Sequence, residues 1–130
     1  AGTPWTDLTK TGDSYVTNEG VDRQLITYEG LLARAARLYA GDHDLKDPLL
    51  SPDNCDFHGF PPTFLVTGTR DLFLSNTART HTRLRASGVV ADLLVFEGVS
   101  HGDYAFEATS PESMQTYTEL NAFLLQHLQT

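Results

Sequence analysis

Apolar residues recur with a helical period in several stretches of the chain. In the first stretch they are spaced by three and four positions and form one stripe: Leu25, Tyr28, Leu32, Ala35 and Tyr39. This spacing predicts a helix over 22–40, with Asp22 as its N-cap. Gly41 stands just beyond the predicted end, where a positive φ favours glycine. Residues 1–21 show no sustained period, and we expect them to form a loop.

Two more helices are predicted in the second half of the chain. Ser75 or Asn76 is a suitable N-cap for a helix that ends before Gly88. Ser110 is a suitable N-cap for the last helix, with Pro111 at its first position. The last helix carries a second apolar stripe, which we expect to face the core: Met114, Tyr117, Leu120, Leu124 and Leu128.

Two short apolar runs bounded by chain-breaking residues predict buried strands at 63–67 and 92–97. With the helix between them they form a β-α-β unit, which requires parallel strands and a right-handed crossover. A parallel sheet of two strands is not a stable core, and the proline-containing segment 41–62 is predicted to be an irregular connector. The sequence therefore predicts an α/β fold whose sheet is incomplete in this chain.

Composition is typical of a globular domain and narrows the classes of function. Of 130 residues, 40% are hydrophobic and 20% are charged, and the formal net charge is −8. Such a surface repels phosphate backbones and anionic lipids, which argues against nucleic-acid binding and a polybasic membrane role. No apolar run approaches the ~20 residues of a membrane span, and no signal-peptide pattern is recognised. Because Cys55 is the single cysteine, no intrachain disulfide forms, and we expect a cytoplasmic location.

Two titratable residues follow the two predicted strands. Asp71 comes after the first strand and His101 comes after the second. The carboxyl ends of neighbouring parallel strands lie at one rim of a sheet, about 5 Å apart. A carboxylate at that rim can accept the imidazole Nδ1–H and stabilise the imidazolium, as the acid and base of a nucleophilic triad do. From spacing alone, an Asp71 that merely caps the next helix and a His101 without a role are equally open.

The nucleophile of such a triad is harder to find. The run Gly-Val-Ser-His-Gly at 98–102 matches a nucleophile elbow, with Ser100 as the nucleophile. An elbow needs a helix directly after it, whereas residues 103–109 have a poor helical pattern. Ser100 also neighbours His101, so the base would have to be His127. A loop serine is the favoured interpretation, and Ser100 stays a weaker candidate.

No metal or cofactor site is predicted. The acidic run 42–47 departs from a calcium loop because Lys46 replaces an oxygen ligand and no glycine follows. The histidines share no ligand spacing, and no glycine-rich phosphate loop occurs.

Five segments carry motifs of one known family. They read TPWTDL at 3–8, DPLLSP at 47–52, PPTFLVTGTRD at 61–71, LRASGV at 84–89 and VFEGVSHG at 95–102. In these segments the chain resembles the C-terminal part of the hormone-sensitive-lipase-like family of α/β-hydrolases. One departure is Asp103, where the family usually has an aromatic residue.

The resemblance implies a fold, a reaction and site residues. Residues 1–62 would form a cap-side helix and connecting loops, and residues 63–130 the C-terminal β-α-β-α part of the hydrolase domain. Asp71 would be the triad acid, His101 the base, and Ser100 a residue of the histidine loop. The implied reaction is cofactor-free hydrolysis of carboxylic esters, usually with small acyl groups, through an acyl-enzyme.

The family's serine elbow and its His-Gly-Gly oxyanion motif precede the segment at Trp5, and neither motif is present in this chain. We therefore expect this chain alone to be inactive, with no nucleophile of its own. Its expected partners are a small ester substrate and the missing N-terminal part of the hydrolase, or a second copy. The alternative is a non-catalytic α/β module that binds a partner through its open sheet edge.

Overall fold

The computed structural model describes residues 2–128. Two strands, five α-helices and one 3₁₀ turn follow one another within these residues. In chain order they are α1 (Ser14–Thr17), α2 (Leu31–Ala40), the 3₁₀ turn (Pro52–Asn54), β1 (Thr63–Gly68), α3 (Leu74–Ala86), β2 (Ala91–Phe96), α4 (Asp103–Phe106) and α5 (Pro111–His127).

The two strands pair in parallel, with Thr63 opposite Ala91 and Gly68 opposite Phe96. Both strands lie within one residue of the predicted bounds, and α3 connects them, so the predicted β-α-β unit is confirmed. Within residues 2–128 the sheet has these two strands alone. The fold is therefore α/β with an open, incomplete sheet, as the sequence predicts.

Successive residues of β1 point to opposite faces of the sheet, and each face has its own core. Leu65 packs with Leu84 of α3 on one face. Phe64 and Val66 pack with Phe123 of α5 on the other face. Because both faces of β1 are covered, its residues form the continuous apolar run that the sequence shows.

A third core joins the first 30 residues to the loop after β1. Its buried members are Tyr15, Tyr28, Leu72 and Phe73. The Trp5 ring stacks on Phe73 with a centroid distance of 5.1 Å. The N-terminal segment therefore packs directly against the end of β1, where Asp71 lies.

The prediction of a helix over 22–40 is wrong in its first half. Helix α2 begins at Leu31, and Ile26 and Gly30 have φ values of 61° and 99°. An α-helix cannot contain such angles, so residues 22–30 form turns and Asp22 is not a helix N-cap. The predicted positive φ beyond the helix is confirmed at Gly41, where φ is 57°.

The last helix is confirmed, but its predicted core-facing stripe is not. The Ser110 side chain accepts a hydrogen bond from the Ser113 backbone N–H at 3.1 Å, as an N-cap should. Leu120 alone of the predicted stripe packs against the core, and the others are exposed: Met114, Tyr117, Leu124 and Leu128. The buried face instead carries Ser113, Thr116 and Phe123. Small side chains suit this face because the Ser113 hydroxyl donates to the Tyr104 carbonyl of α4.

Two smaller differences concern a helix end and a loop. Helix α3 begins at Leu74 without a side-chain cap from Ser75 or Asn76, although Gly88 has the expected positive φ of 77°. The predicted loop 1–21 contains the short α1. No helix among residues 2–128 is both long enough and apolar enough to cross a bilayer.

Candidate functional site

The loops after β1 and β2 bring Asp71 and His101 into contact. His101 Nδ1 lies 3.2 Å from Asp71 Oδ1. The Asp71 side chain is fully buried, whereas 26% of the His101 side chain is exposed. The predicted shared rim therefore exists, with the carboxylate inside and the imidazole at the surface.

A close approach of backbone to backbone makes this contact possible. The Thr69 N–H donates to the Phe96 carbonyl at 2.9 Å, and the Arg70 N–H donates to the Val99 carbonyl at 3.1 Å. A Cβ at Gly68 would lie 2.0 Å from the Val99 carbonyl oxygen. Only glycine fits at this position, so it allows the two loops to touch.

Further hydrogen bonds fix the orientation of the Asp71 carboxylate. Oδ1 also accepts from the Phe73 backbone N–H at 2.7 Å, and Oδ2 accepts from the Thr67 hydroxyl at 3.3 Å. Asp71 thus supports the turn into α3 and contacts His101 at the same time. The capping contact of Asp71 and its contact with His101 therefore exist together in the structure.

The surroundings of His101 suit a group that exchanges a proton. The Phe73 ring meets the imidazole edge to face, with centroids 5.1 Å apart. Burial lowers the pKa of His101, but the hydrogen bond and the charge of Asp71 act in the opposite direction. Together with the carboxylates of Asp22 and Asp103 they outweigh burial, so the pKa of His101 lies above its ordinary value. No hydrogen bond links Nε2 to another group within the described residues.

The Ser100 side chain is engaged elsewhere. It is fully buried, and its hydroxyl oxygen accepts from the Arg23 backbone N–H at 3.0 Å. His127, the base that a Ser100 nucleophile would need, lies at the end of α5 against the Phe123 ring. The structure therefore does not bring the side chains of Ser100 and His127 together.

The sequence missed a segment that contacts both loops of the site. We call residues 18–24 the bridging segment. Its Asn18 side-chain amide donates to the carbonyls of Thr69 and Asp71, at 3.2 and 2.8 Å. In the sequence, Asn18 belongs to the predicted loop 1–21, and local patterns give no sign of partners about 50 residues away.

Asp22 is the second missed residue of the bridging segment. Its Oδ2 accepts from the Leu72 backbone N–H at 2.7 Å, and its Oδ1 faces the His101 backbone N–H at 3.4 Å. Oδ1 also accepts from the Gln24 and Leu25 N–H groups of its own turn. An aspartate that caps its own turn was visible in the sequence, but its contacts with Leu72 and His101 were not.

Two other polar features of residues 2–128 do not form a second candidate site. Among residues 2–128, no three His, Cys, Asp or Glu side chains are grouped as metal ligands. A cleft of about 470 Å³ is lined by Arg79 and Arg83 but by neither residue of the Asp71–His101 pair. Arg79 donates to Thr11 and Arg83 to a backbone carbonyl, so both guanidinium groups have protein partners.

Known proteins resemble this chain over most of its length. The family described as alpha/beta hydrolase fold matches residues 2–105. An esterase of Acinetobacter venetianus is 28% identical over 120 residues, which cover 92% of this chain and 39% of the esterase. The crystal structure of an esterase E25 matches with a TM-score of 0.95 and 65% identity, over 97% of this chain and 38% of that one.

A crystal structure of an esterase from the bacterial hormone-sensitive lipase family also matches. Its TM-score is 0.89 at 31% identity, over 98% of this chain and 42% of that one. The chain therefore spans about two-fifths of the length of the relatives it matches.

Proposed function

The chain belongs to the alpha/beta hydrolase fold family, and from that premise we propose that it supplies the acid and the base of a carboxylic ester hydrolase. The observation that carries this proposal is the contact of 3.2 Å between His101 Nδ1 and the buried Asp71 carboxylate. Esterases among the relatives support the reaction class. The substrate class proposed is carboxylic esters with small acyl groups.

Each proposed role follows from the geometry of its side chain. The Asp71 carboxylate accepts the Nδ1–H of His101 and so keeps the lone pair on Nε2. With that lone pair, Nε2 takes the proton of a serine hydroxyl as the hydroxyl attacks the ester carbonyl. The imidazolium then protonates the leaving alcohol, and the same ring activates water to release the acid from the acyl-enzyme.

The serine and the oxyanion donors are proposed to lie outside these 130 residues. This proposal rests on the coverage of about two-fifths of the relatives and on the engagement of Ser100 with Arg23. The remainder of the hydrolase would continue the sheet at an open edge of the two-stranded sheet. Without that remainder, the proposed function leaves this chain inactive.

Covalent labelling tests where the nucleophile lies. The full-length protein that contains these residues is treated with a fluorophosphonate, digested and analysed by mass spectrometry. We expect an adduct on a serine outside residues 1–130 and none on Ser100. An adduct on Ser100 would overturn this assignment. A folded full-length protein that takes no label and hydrolyses no ester would favour the non-catalytic binding module instead.

The pH dependence of turnover tests the base. Because the proton acceptor must be neutral, activity should fall as the pH drops through the pKa of His101. That pKa is raised by Asp71, Asp22 and Asp103, so the acid limb of kcat/KM should lie above ~6.5, the value of an unperturbed histidine. The profile is measured with p-nitrophenyl butyrate. An acid limb at or below the unperturbed value would contradict this proposal.

A further inference from the structure

We propose that the bridging segment, residues 18–24, holds the Asp71 loop and the His101 loop in register, with Asp22 as the positioning residue for both. The effect of this bridge on turnover rests on the proposed function. The contacts themselves do not, because they join the two loops whatever the reaction.

On the Asp71 side, the bridging segment holds both ends of the peptide group that follows the carboxylate. The Asn18 amide donates to the Asp71 carbonyl at 2.8 Å, and Asp22 Oδ2 accepts from the Leu72 N–H at 2.7 Å. The carbonyl and the N–H of the single Asp71–Leu72 peptide group therefore each have a partner in the segment. Rotation of this loop would break both hydrogen bonds.

On the His101 side, the same segment contacts two consecutive residues. Asp22 Oδ1 faces the His101 N–H at 3.4 Å, and the Arg23 N–H donates to the Ser100 hydroxyl at 3.0 Å. Ser100 is thereby given a role without being a nucleophile. Its hydroxyl accepts a hydrogen bond from the bridging segment directly beside the proposed base.

An ionic contact extends the bridge beyond His101. The Asp103 carboxylate accepts from Arg23 Nη2 and from Gln24 Nε2, each at 2.6 Å. The Arg23 side chain is 70% exposed, so the pair contributes little to stability by itself. It gives the Asp103 carboxylate two partners in the bridging segment.

Asp22 is the central group of this arrangement. Its side chain is almost fully buried, and its two oxygens face four backbone N–H groups, those of Gln24, Leu25, Leu72 and His101. Such N–H groups compensate the cost of burying a carboxylate, and they hold it in one orientation. One charged group thus joins its own turn to both loops of the site.

The Asp22→Asn variant of the full-length protein tests the proposal. The amide places two hydrogens where an acceptor is needed, and it removes one of the negative charges that face His101, the others being Asp71 and Asp103. Because misplacement by ~1 Å costs about 100-fold, we expect kcat to fall about 10- to 100-fold with a smaller change in KM. The acid limb of the pH profile should move to lower pH.

A matched control removes the same charge elsewhere. Asp56 is 75% exposed and pairs with His58 on the irregular connector, so Asp56→Asn should leave kcat and the acid limb unchanged. A merely structural Asp22 would lower the melting temperature of Asp22→Asn but leave kcat per folded molecule and the acid limb at the wild-type values. That result would overturn the proposal.

An NMR titration of the His101 imidazole separates this proposal from the proposed function. The signal is assigned by its loss in His101→Ala, and Asp22→Asn should lower the pKa of His101 even where no ester is turned over. An unchanged pKa would refute Asp22 as a positioning residue. Should Asp22→Asn fail to fold, Ser100→Ala removes the contact with Arg23, and it should lower kcat while leaving the pKa of His101 unchanged. Wild-type kcat in Ser100→Ala would then count against the bridge.

Discussion

Replacement of His101 by alanine is expected to lower kcat/KM of the full-length protein for p-nitrophenyl butyrate by about 10⁴- to 10⁶-fold. The ring is the proposed acceptor of the serine proton, and a serine hydroxyl without an adjacent base is a weak nucleophile. The side chain is 26% exposed, and no backbone group among residues 2–128 forms a hydrogen bond with its ring. The free energy of unfolding should therefore change far less than the activation free energy of turnover.

The chain contains its own control for this prediction. His58 Nδ1 lies 2.5 Å from Asp56 Oδ1, so His58 and Asp56 form a second histidine–aspartate pair, whose side chains are 73% and 75% exposed. His58→Ala should retain the wild-type rate within about twofold, because exposed ion pairs contribute little. Retention of more than a tenth of the wild-type rate in His101→Ala would refute the assignment of the base.

Local signals were sufficient for the elements that frame the site. Apolar runs between chain-breaking residues predicted both strands, and Gly88 and Ser110 marked helix ends through their backbone angle and side-chain cap. The proximity of Asp71 and His101 followed from topology, because parallel neighbours must end at one rim. These features depend on residues within a few positions of one another or on a single crossover rule.

Periodicity misled where tertiary contacts decide the conformation. The stripe that begins at Leu25 and Tyr28 has helical spacing, yet Tyr28 reaches the core from a turn in which Ile26 has a positive φ. On α5, Met114 and Leu124 are exposed because the helix turns Ser113 towards Tyr104. Spacing shows which residues share a face, but it does not show which face meets a neighbour.

Local sequence patterns do not predict the distant contacts of Asp22, for a related reason. Its turn has the acidic residue of a helix N-cap, and the side chain does accept from the N–H groups of Gln24 and Leu25. Its other partners, Leu72 and His101, lie 50 and 79 residues further along the chain. An aspartate at the start of a turn can therefore cap a helix or join distant loops, and tertiary contacts determine which of the two occurs.

Two substitutions of Asp71 are expected to lower turnover by different amounts. Asp71→Ala removes the partner of His101 and leaves the Phe73 N–H and the Thr67 hydroxyl without their acceptor. We expect kcat/KM to fall about 10⁴-fold, as for the aspartate of other triads, and the free energy of unfolding to fall by about 1–3 kcal/mol. Turnover of p-nitrophenyl butyrate and chemical denaturation measure the two effects.

Asp71→Asn should lower turnover less than Asp71→Ala, because the amide can keep the hydrogen bonds that the carboxylate makes. Oδ1 accepts from both the Phe73 N–H and His101, so the amide oxygen of asparagine should occupy that place. The NH₂ group then faces the Thr67 hydroxyl, which can accept, and His101 keeps its proton on Nδ1. What is lost is the negative charge, whose removal lowers the pKa of His101 and moves the acid limb to lower pH.

The expected loss in Asp71→Asn is therefore about 10- to 1,000-fold, because the imidazolium loses the opposite charge that stabilises it. A loss as large as that of Asp71→Ala would show that the amide turns its NH₂ towards His101 and holds the ring in the wrong tautomer. Wild-type turnover in both variants would refute Asp71 as the acid. The comparison thus separates the charge of Asp71 from its control of the tautomer, which the single alanine variant cannot do.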